Sequence, residues 1–143
     1  MDNNYIISII GTQELDGDKD SVEVMTTGSY IMKNGKRYIN YKEYDSDNPN
    51  NFCSNTVKVD ADKVTIMRSG DVSSRLVLQK NVRHQCHYGT PVGDLMIGVF
   101  ADTIDNNLND DGGELFVSYT LDFNAGFASR NEFKITIKHK GVE

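Results

Sequence analysis

The side chains with the clearest binding and acid–base chemistry in this sequence are Tyr41, Glu43, Arg68, His84 and Tyr88. A guanidinium offers a planar fork of donors that matches a carboxylate, and an imidazole exchanges a proton near neutral pH. Tyrosine hydroxyls both donate and accept hydrogen bonds, so they can orient a bound group. Together these residue types predict a site for a small anionic or carboxylate ligand.

Alternation of apolar and polar residues determines where these side chains point. Counting in steps of two places the apolar residues of each segment on one face, as in half-buried strands. Continuing that count adds Glu43, Arg68, His84 and Tyr88 to the same face, which predicts one polar end inside a barrel. The inward apolar positions are Val22, Val24, Gly28, Tyr30, Ile39, Tyr41, Val57, Val59, Val64, Ile66, Leu76, Leu78, Leu95, Ile97, Val99, Leu115, Val117, Tyr119, Leu121, Phe123, Phe133, Ile135 and Ile137.

Two interpretations of this polar end follow from the cost of burying charge. An isolated carboxylate or guanidinium is expensive to remove from water, so Glu43 and Arg68 should pair with each other or with a bound group. If they bind a ligand, the end is an open pocket in which Tyr41, His84 and Tyr88 also take part. If they pair with each other, the end is a structural plug.

Turn signals recur roughly every eight to twelve residues, a spacing typical of all-β barrels and sandwiches. Asn34-Gly35 is the strongest of them and predicts a hairpin, because a type I′ turn requires positive φ at both central positions. We therefore expect one domain, residues 1–143, folded as a closed antiparallel β-barrel of about eight to ten strands. Closure removes the exposed edges that an open sheet would leave.

Composition restricts the partners and the compartment. The chain has 143 residues and a formal net charge of −6, which disfavours binding to nucleic acid and to anionic membrane surfaces. The N-terminal segment lacks the positive region and the length of a secretion signal. Cys53 and Cys86 have no CxxC spacing and are expected to be free thiols, so we predict a cytoplasmic protein.

The order and spacing of several short motifs resemble the YwiB-like family of small, uncharacterised proteins of Gram-positive bacteria. This resemblance covers essentially the whole chain and implies a calycin-type barrel, similar to lipocalins and streptavidin, without implying an activity. The chain contains no Trp, so fatty-acid, retinoid or biotin transport is not carried over from those relatives. The motifs are Thr26-Thr27-Gly28-x-Tyr30, Gly35-x-x-Tyr38, Tyr41-x-Glu43, Val57-Lys58-Val59, Arg68-Ser69-Gly70 and Tyr88-x-Thr90-x-x-Gly93-x-Leu95.

No metal site or cofactor is predicted. His84 and Cys86 share one strand face while His87 points to the other, which leaves too few ligands for zinc. The acidic segments 16–20 and 107–111 lack the complete pattern of an EF-hand. Neither a nucleophile elbow nor a glycine-rich phosphate loop is present.

The sequence therefore predicts a small-ligand-binding module with a polar patch at one end of the barrel interior. The alternative is a protein-interaction or structural barrel with a plugged interior, which would use apolar residues on its outer wall. A hydrolase or isomerase acting through Glu43, His84 or Tyr88 is less favoured, because no catalytic motif is recognised. A homodimer is left open. The outward apolar residues are Ile31, Met67, Val77 and Phe116.

Overall fold

The computed structural model describes residues 4–44, 47, 52–70, 73–90, 93–123 and 127–140. Ten strands form one closed barrel in which neighbours in the chain are neighbours in the sheet, and β1 pairs with β10. Every one of these pairings is antiparallel. The prediction of an all-β closed antiparallel barrel is confirmed. The strands are β1 (Tyr5–Leu15), β2 (Asp18–Lys33), β3 (Lys36–Tyr44), β4 (Phe52–Val59), β5 (Lys63–Ser69), β6 (Ser74–Gln79), β7 (Arg83–Thr90), β8 (Gly93–Asn109), β9 (Gly112–Phe123) and β10 (Phe127–His139).

Tight turns join the first three strands. Asn34 and Gly35 have φ values of 54° and 76° and connect β2 to β3, so the predicted hairpin is confirmed. Asp16 and Gly17, with φ values of 52° and 84°, connect β1 to β2 in the same way. Positive φ at both central positions gives the turn a twist that matches that of the flanking strands.

The middle of the barrel holds a dry apolar core. The inward count of the sequence is confirmed at the positions named below except Ile7, which it did not include, because alternate residues of each strand are buried against one another. Full burial of such a side chain stabilises the fold by about 1.5–3 kcal/mol. The most completely buried are Ile7, Ile39, Val57, Val64, Leu78, Ile97, Val99, Leu115, Val117, Ile135 and Ile137.

The two ends of the barrel differ, and we name them by the strands that finish there. The upper end is where β5 and β7 finish, and the lower end is where β2 and β8 finish. Three residues that were expected to be buried are exposed instead: Val22 at 64%, Leu95 at 43% and Phe123 at 40%. Leu95 and Phe123 lie near strand termini at the upper end, and Val22 lies on a part of β2 that has a strand on one side only. An inward-facing side chain is buried only where other strands of the barrel cover it.

A cluster of polar and aromatic groups closes the lower end. Arg37 donates from Nη1 to the Tyr30 hydroxyl at 3.2 Å and to Asp110 Oδ1 at 3.1 Å. The Tyr30 hydroxyl donates in turn to the main-chain carbonyl of Asn109. The Tyr5 ring packs edge-on against Tyr30, with centroids 5.5 Å apart. The Tyr30 hydroxyl and the Arg37–Asp110 ion pair therefore form a plug at the lower end, opposite the Glu43 and Arg68 region for which the sequence left a structural plug as one interpretation.

The wall opens between β2 and β3 toward the upper end. Their ladder stops at the pair Gly28–Tyr41, and residues 18–27 of β2 pair with β1 alone in the described part of the chain. We call this opening the β2–β3 split. Gly28 stands where it begins, because a Cβ there would collide with the backbone carbonyl oxygen of Asn40. Only glycine lets the two strands approach closely enough to form the last pair.

Gly28→Ala should destabilise the protein by about 1–3 kcal/mol, because the added methyl group must push β2 and β3 apart. Gly11→Ala is the matched control, since a Cβ at Gly11 meets nothing within 4 Å. Urea unfolding of both variants measures the difference. Equal unfolding midpoints for the two variants would contradict the close approach at Gly28.

Candidate functional site

A continuous row of polar residues crosses the inner wall at the upper end. The strand registers place Tyr41 opposite Asn55, Asn55 opposite Arg68, Arg68 opposite Ser74, and Ser74 opposite Tyr88. All five have the same parity as the buried residues of their strands, so they belong to the inner face. Adjacent strands lie about 4.8 Å apart, so the row extends roughly 20 Å around the wall. Three of the predicted site residues therefore lie in one row.

Arg68 is exposed at this end and has no carboxylate partner among the described residues. Its Nη2 donates to the Cys53 sulfur at 3.6 Å. Burial lowers the pKa of Arg68, but the contact with Cys53 and the negative charge of Glu43 outweigh it and raise the pKa. The charge of Glu43 thus reaches Arg68 without an ion pair, so the predicted direct pairing of these two residues is wrong.

Glu43 is held by a neutral partner instead of a cation. Asn55, itself buried, donates from Nδ2 to Glu43 Oε1 at 3.2 Å. The register places Glu43 opposite Cys53, two pairs beyond the row along β3. The carboxylate and the guanidinium are therefore positioned separately, by Asn55 and by Cys53. The alternation pattern left open whether these two residues pair with each other or with a bound group, and it did not identify Asn55 and Cys53 as their partners.

Two tyrosines near these charges stay protonated well above neutral pH. Burial, followed by the negative charge of Glu43, raises the pKa of Tyr41 to about 12, although Arg68 acts in the opposite direction. Burial, followed by the influence of Tyr88, raises the pKa of Tyr119 to about 12. Both hydroxyls are therefore donors as well as acceptors at physiological pH.

The opposite wall of the interior is polar at the same end. Asn131 and Ser129 are buried, and Asn131 donates from Nδ2 to Ser129 Oγ at 3.0 Å. Asn131 pairs with Tyr119 across the β9–β10 ladder. Sequence reasoning missed these residues, although counting backward in steps of two from Phe133 would have found them. We call the whole group the upper polar cluster: Tyr41, Glu43, Asn55, Arg68, Tyr88, Tyr119, Ser129 and Asn131.

His84 does not belong to the upper polar cluster. It precedes Tyr88 by four residues on β7, which places it roughly 13 Å further down the barrel. Its Nε2 lies 2.9 Å from Gln79 Oε1, and Gln79 donates from Nε2 to Asp62 Oδ2 at 3.4 Å. Counting in steps of two placed His84 on the same face of β7 as Tyr88, but it did not reveal that His84 lies further down the barrel axis.

The two cysteines differ in their surroundings. Cys53 is half-buried, and its sulfur faces Arg68. Cys86 is buried, and its sulfur accepts the Val77 N–H at 3.3 Å, next to the point where the β6–β7 ladder ends. Within the described ranges, no three histidine, cysteine, aspartate or glutamate side chains are grouped so that they could hold a metal ion. No helix in those ranges is long and apolar enough to cross a membrane.

Comparison with known proteins identifies the family. The model of a domain of unknown function, DUF1934, matches residues 7–135. The chain belongs to the DUF1934 family. It is 27% identical over 128 residues to the uncharacterized β-barrel protein YwiB of Bacillus subtilis strain 168, covering 90% of this chain and 87% of that protein. The resemblance to the YwiB-like family is thereby confirmed.

A solved structure supports the same architecture. The crystal structure of the ywiB protein from Bacillus subtilis superposes with a TM-score of 0.84 at 23% identity, covering 96% of this chain and 92% of that chain. Similarity at this level of identity establishes a shared fold. It leaves the chemistry of the upper polar cluster to be argued from the residues of this chain.

The raised tyrosine pKa values predict how stability changes at high pH. The unfolded chain ionises its tyrosines near pH 10, whereas Tyr41 and Tyr119 ionise near pH 12 in the fold. The folded state therefore binds more protons between these values, so the stability that these two groups contribute is complete below pH 10 and is lost toward pH 12. Replacing both with Phe should flatten this decline in urea unfolding experiments.

Tyr44→Phe is the control for that measurement, because Tyr44 is 62% exposed on the outer wall. Its decline with pH should match that of the parent protein. If the double variant also declines as steeply as the parent, the two interior hydroxyls are not held protonated as described.

Proposed function

We propose that this protein is a small-ligand-binding module that takes a small carboxylate ligand at the upper end, with Arg68 as the anchoring group. The observation that carries the proposal is the guanidinium of Arg68. It lies in an inward-facing row at the barrel mouth, and its described hydrogen-bond partner is a sulfur atom rather than a carboxylate. A guanidinium binds a carboxylate through two parallel hydrogen bonds, so a ligand oxygen pair suits it better than a thiol does.

The neighbours of Arg68 provide further hydrogen bonds for a ligand. Tyr41 and Tyr88 lie two strands to either side of it, each roughly 10 Å away along the wall. Tyr119, on the opposite wall, adds a hydroxyl that remains protonated. These groups support a ligand of a few heavy atoms, held at its charged end by Arg68.

Glu43 restricts the ligand further. Its carboxylate is close enough to raise the pKa of both Tyr41 and Arg68, so it would repel a second negative charge. It accepts a hydrogen bond from Asn55 and, as a carboxylate, has further lone pairs. A ligand that carries a hydroxyl or ammonium group beside its carboxylate therefore complements this end better than a simple carboxylate.

The architecture supports this function. An eight-stranded barrel is just wide enough for one small ligand, and the diameter grows with the number of strands. The up-and-down strand order with closure between β1 and β10 is the arrangement of lipocalin and streptavidin barrels, which supports the calycin-type assignment. The free thiols of Cys53 and Cys86 support a cytoplasmic location.

A protein-interaction barrel is the second candidate. The plug at the lower end supports it, and so do the exposed apolar residues Leu95, Met96 and Phe123 at the upper end. The polar character of the upper interior favours the ligand-binding function, because a purely structural barrel has no need of a buried amide beside a guanidinium that makes no ion pair with the described residues.

Titration of the ¹⁵N-labelled protein with acetate, glycolate and glycine, followed by NMR, tests the proposed function. We expect amide shifts along the row from Tyr41 to Tyr88, with glycolate or glycine binding more tightly than acetate. Arg68→Ala should abolish these shifts while costing less than about 1 kcal/mol of stability, because Arg68 is exposed and makes no ion pair.

Arg75→Ala is the matched control for Arg68→Ala. Arg75 lies on β6, one residue along from Ser74, so its side chain points to the outer face. Its removal should leave the binding unchanged. If Arg75→Ala and Arg68→Ala weaken binding equally, or if none of the three probes shifts the row, the carboxylate site is not at Arg68.

A further inference from the structure

The β2–β3 split exposes the edge of a strand in the barrel wall. Residues 18–27 of β2 pair with β1 along their whole length, and the ladder with β3 begins only at Gly28. In an antiparallel strand every second residue directs its N–H and C=O to the same side. About five residues of this segment therefore present both groups to the split without a β-ladder partner in the described chain.

Exposed apolar side chains flank this edge on both faces of the strand. Val22 is 64% exposed and Met25 is 70% exposed. They have opposite parity on β2, so one points to the inner side of the split and the other to the outer surface. A strand added at this edge would place its own alternate side chains against both. Unpaired main-chain groups and exposed apolar residues thus coincide on one segment.

The same segment is acidic. Asp18, Asp20 and Glu23 outnumber Lys19, and all four are exposed. Charged residues on an edge strand prevent edge-to-edge association between copies, because an antiparallel pair of identical strands brings like charges together. The formal net charge of −6 on the chain opposes self-association further. A partner strand that carries positive charge is not repelled by this acidic segment.

A cavity marks the base of the split. It has a volume of about 380 Å³ and is lined by Thr26 and Thr27 on β2, by Tyr41 and Lys42 on β3, and by Ser54 on β4. These residues provide hydroxyl groups at the point where the two strands diverge. The end of an added strand would reach this cavity, where its terminal N–H and C=O groups could hydrogen-bond to these hydroxyl groups.

We propose that the β2 edge binds an extended segment of another protein that carries an apolar residue and a lysine or arginine on each of its two faces. The segment adds to β2 within the split as an extra strand, a mode in which main-chain hydrogen bonds supply affinity and flanking side chains supply selectivity. Its apolar residues cover Val22 and Met25, and its cations face Asp20 and Glu23. This proposal does not rest on Arg68 or on the proposed carboxylate ligand, although Tyr41 lies beside both sites.

A capped peptide of about six residues with the sequence Val-Thr-Lys-Val-Thr-Lys is a suitable probe, because in the antiparallel register it places valines opposite Met25 and Val22 and lysines opposite Glu23 and Asp20. We expect its addition to the ¹⁵N-labelled protein to shift and protect the amides of β2 between Lys19 and Thr27. The Asp20→Lys and Glu23→Lys double variant should weaken binding by about tenfold at low salt, since two attractive contacts become repulsive. Asp105→Lys, which reverses an exposed charge on β8, is the control and should bind almost as tightly as the parent protein.

Two further probes separate strand addition from simple charge attraction. The same peptide with N-methyl groups along one edge keeps its charge and side chains but loses its main-chain donors, so its affinity should fall sharply. Arg68→Ala should leave peptide binding intact, which distinguishes this site from the ligand site. Equal binding of the N-methylated peptide, or no change in the β2 amides, would overturn the proposal. So would protection of these amides by concentration-dependent dimerisation without peptide.

Discussion

The pairing of β1 with β10 is the constraint on which the rest of the structure depends. This ladder runs from Tyr5–His139 to Glu14–Arg130 and turns a meander of antiparallel strands into a closed wall. Once the wall is closed, every second residue of every strand must point to the interior. The chemistry of the barrel is then determined by which residues occupy those positions at each height.

The inward positions form three layers with different energetics. The middle layer is apolar and contributes most of the stability through burial. In the lower layer, Arg37 has both Asp110 and the Tyr30 hydroxyl as partners, so its charge is satisfied within the chain. In the upper layer, Arg68 has only a sulfur contact and the more distant charge of Glu43. This asymmetry between two inward-facing arginines is the physical basis for placing a ligand at one end and a plug at the other.

The alternation of residues predicted the faces of the strands well. Ile39, Val57 and Ile135 were placed inside by counting, and Asn34-Gly35 was recognised as a hairpin turn, because both signals are local. Position along the barrel axis depends on the register between strands, which a single sequence does not reveal. His84 was therefore grouped with Tyr88, although it bonds Gln79 further down.

The alternation of residues also did not reveal which side chains contact each other or which inward-facing residues are exposed. Glu43 and Arg68 share an end but bond Asn55 and Cys53, because side-chain reach depends on which residues face each other across the ladders. Val22 was expected inside, yet the ladder between β2 and β3 stops at Gly28 and leaves it uncovered. A split in a barrel wall arises from pairing that is absent, and no residue pattern on β2 signals it.

Bromide soaking of crystals tests most directly the proposal that Arg68 anchors an anionic ligand. Bromide takes the place of a ligand carboxylate and is located by its anomalous scattering. The account predicts a bromide within hydrogen-bonding distance of the Arg68 guanidinium, and none at Arg37, whose charge is already paired with Asp110 and whose Nη1 also donates to the Tyr30 hydroxyl. A carboxylate of the chain bonded to Arg68, with no bromide there, would contradict it.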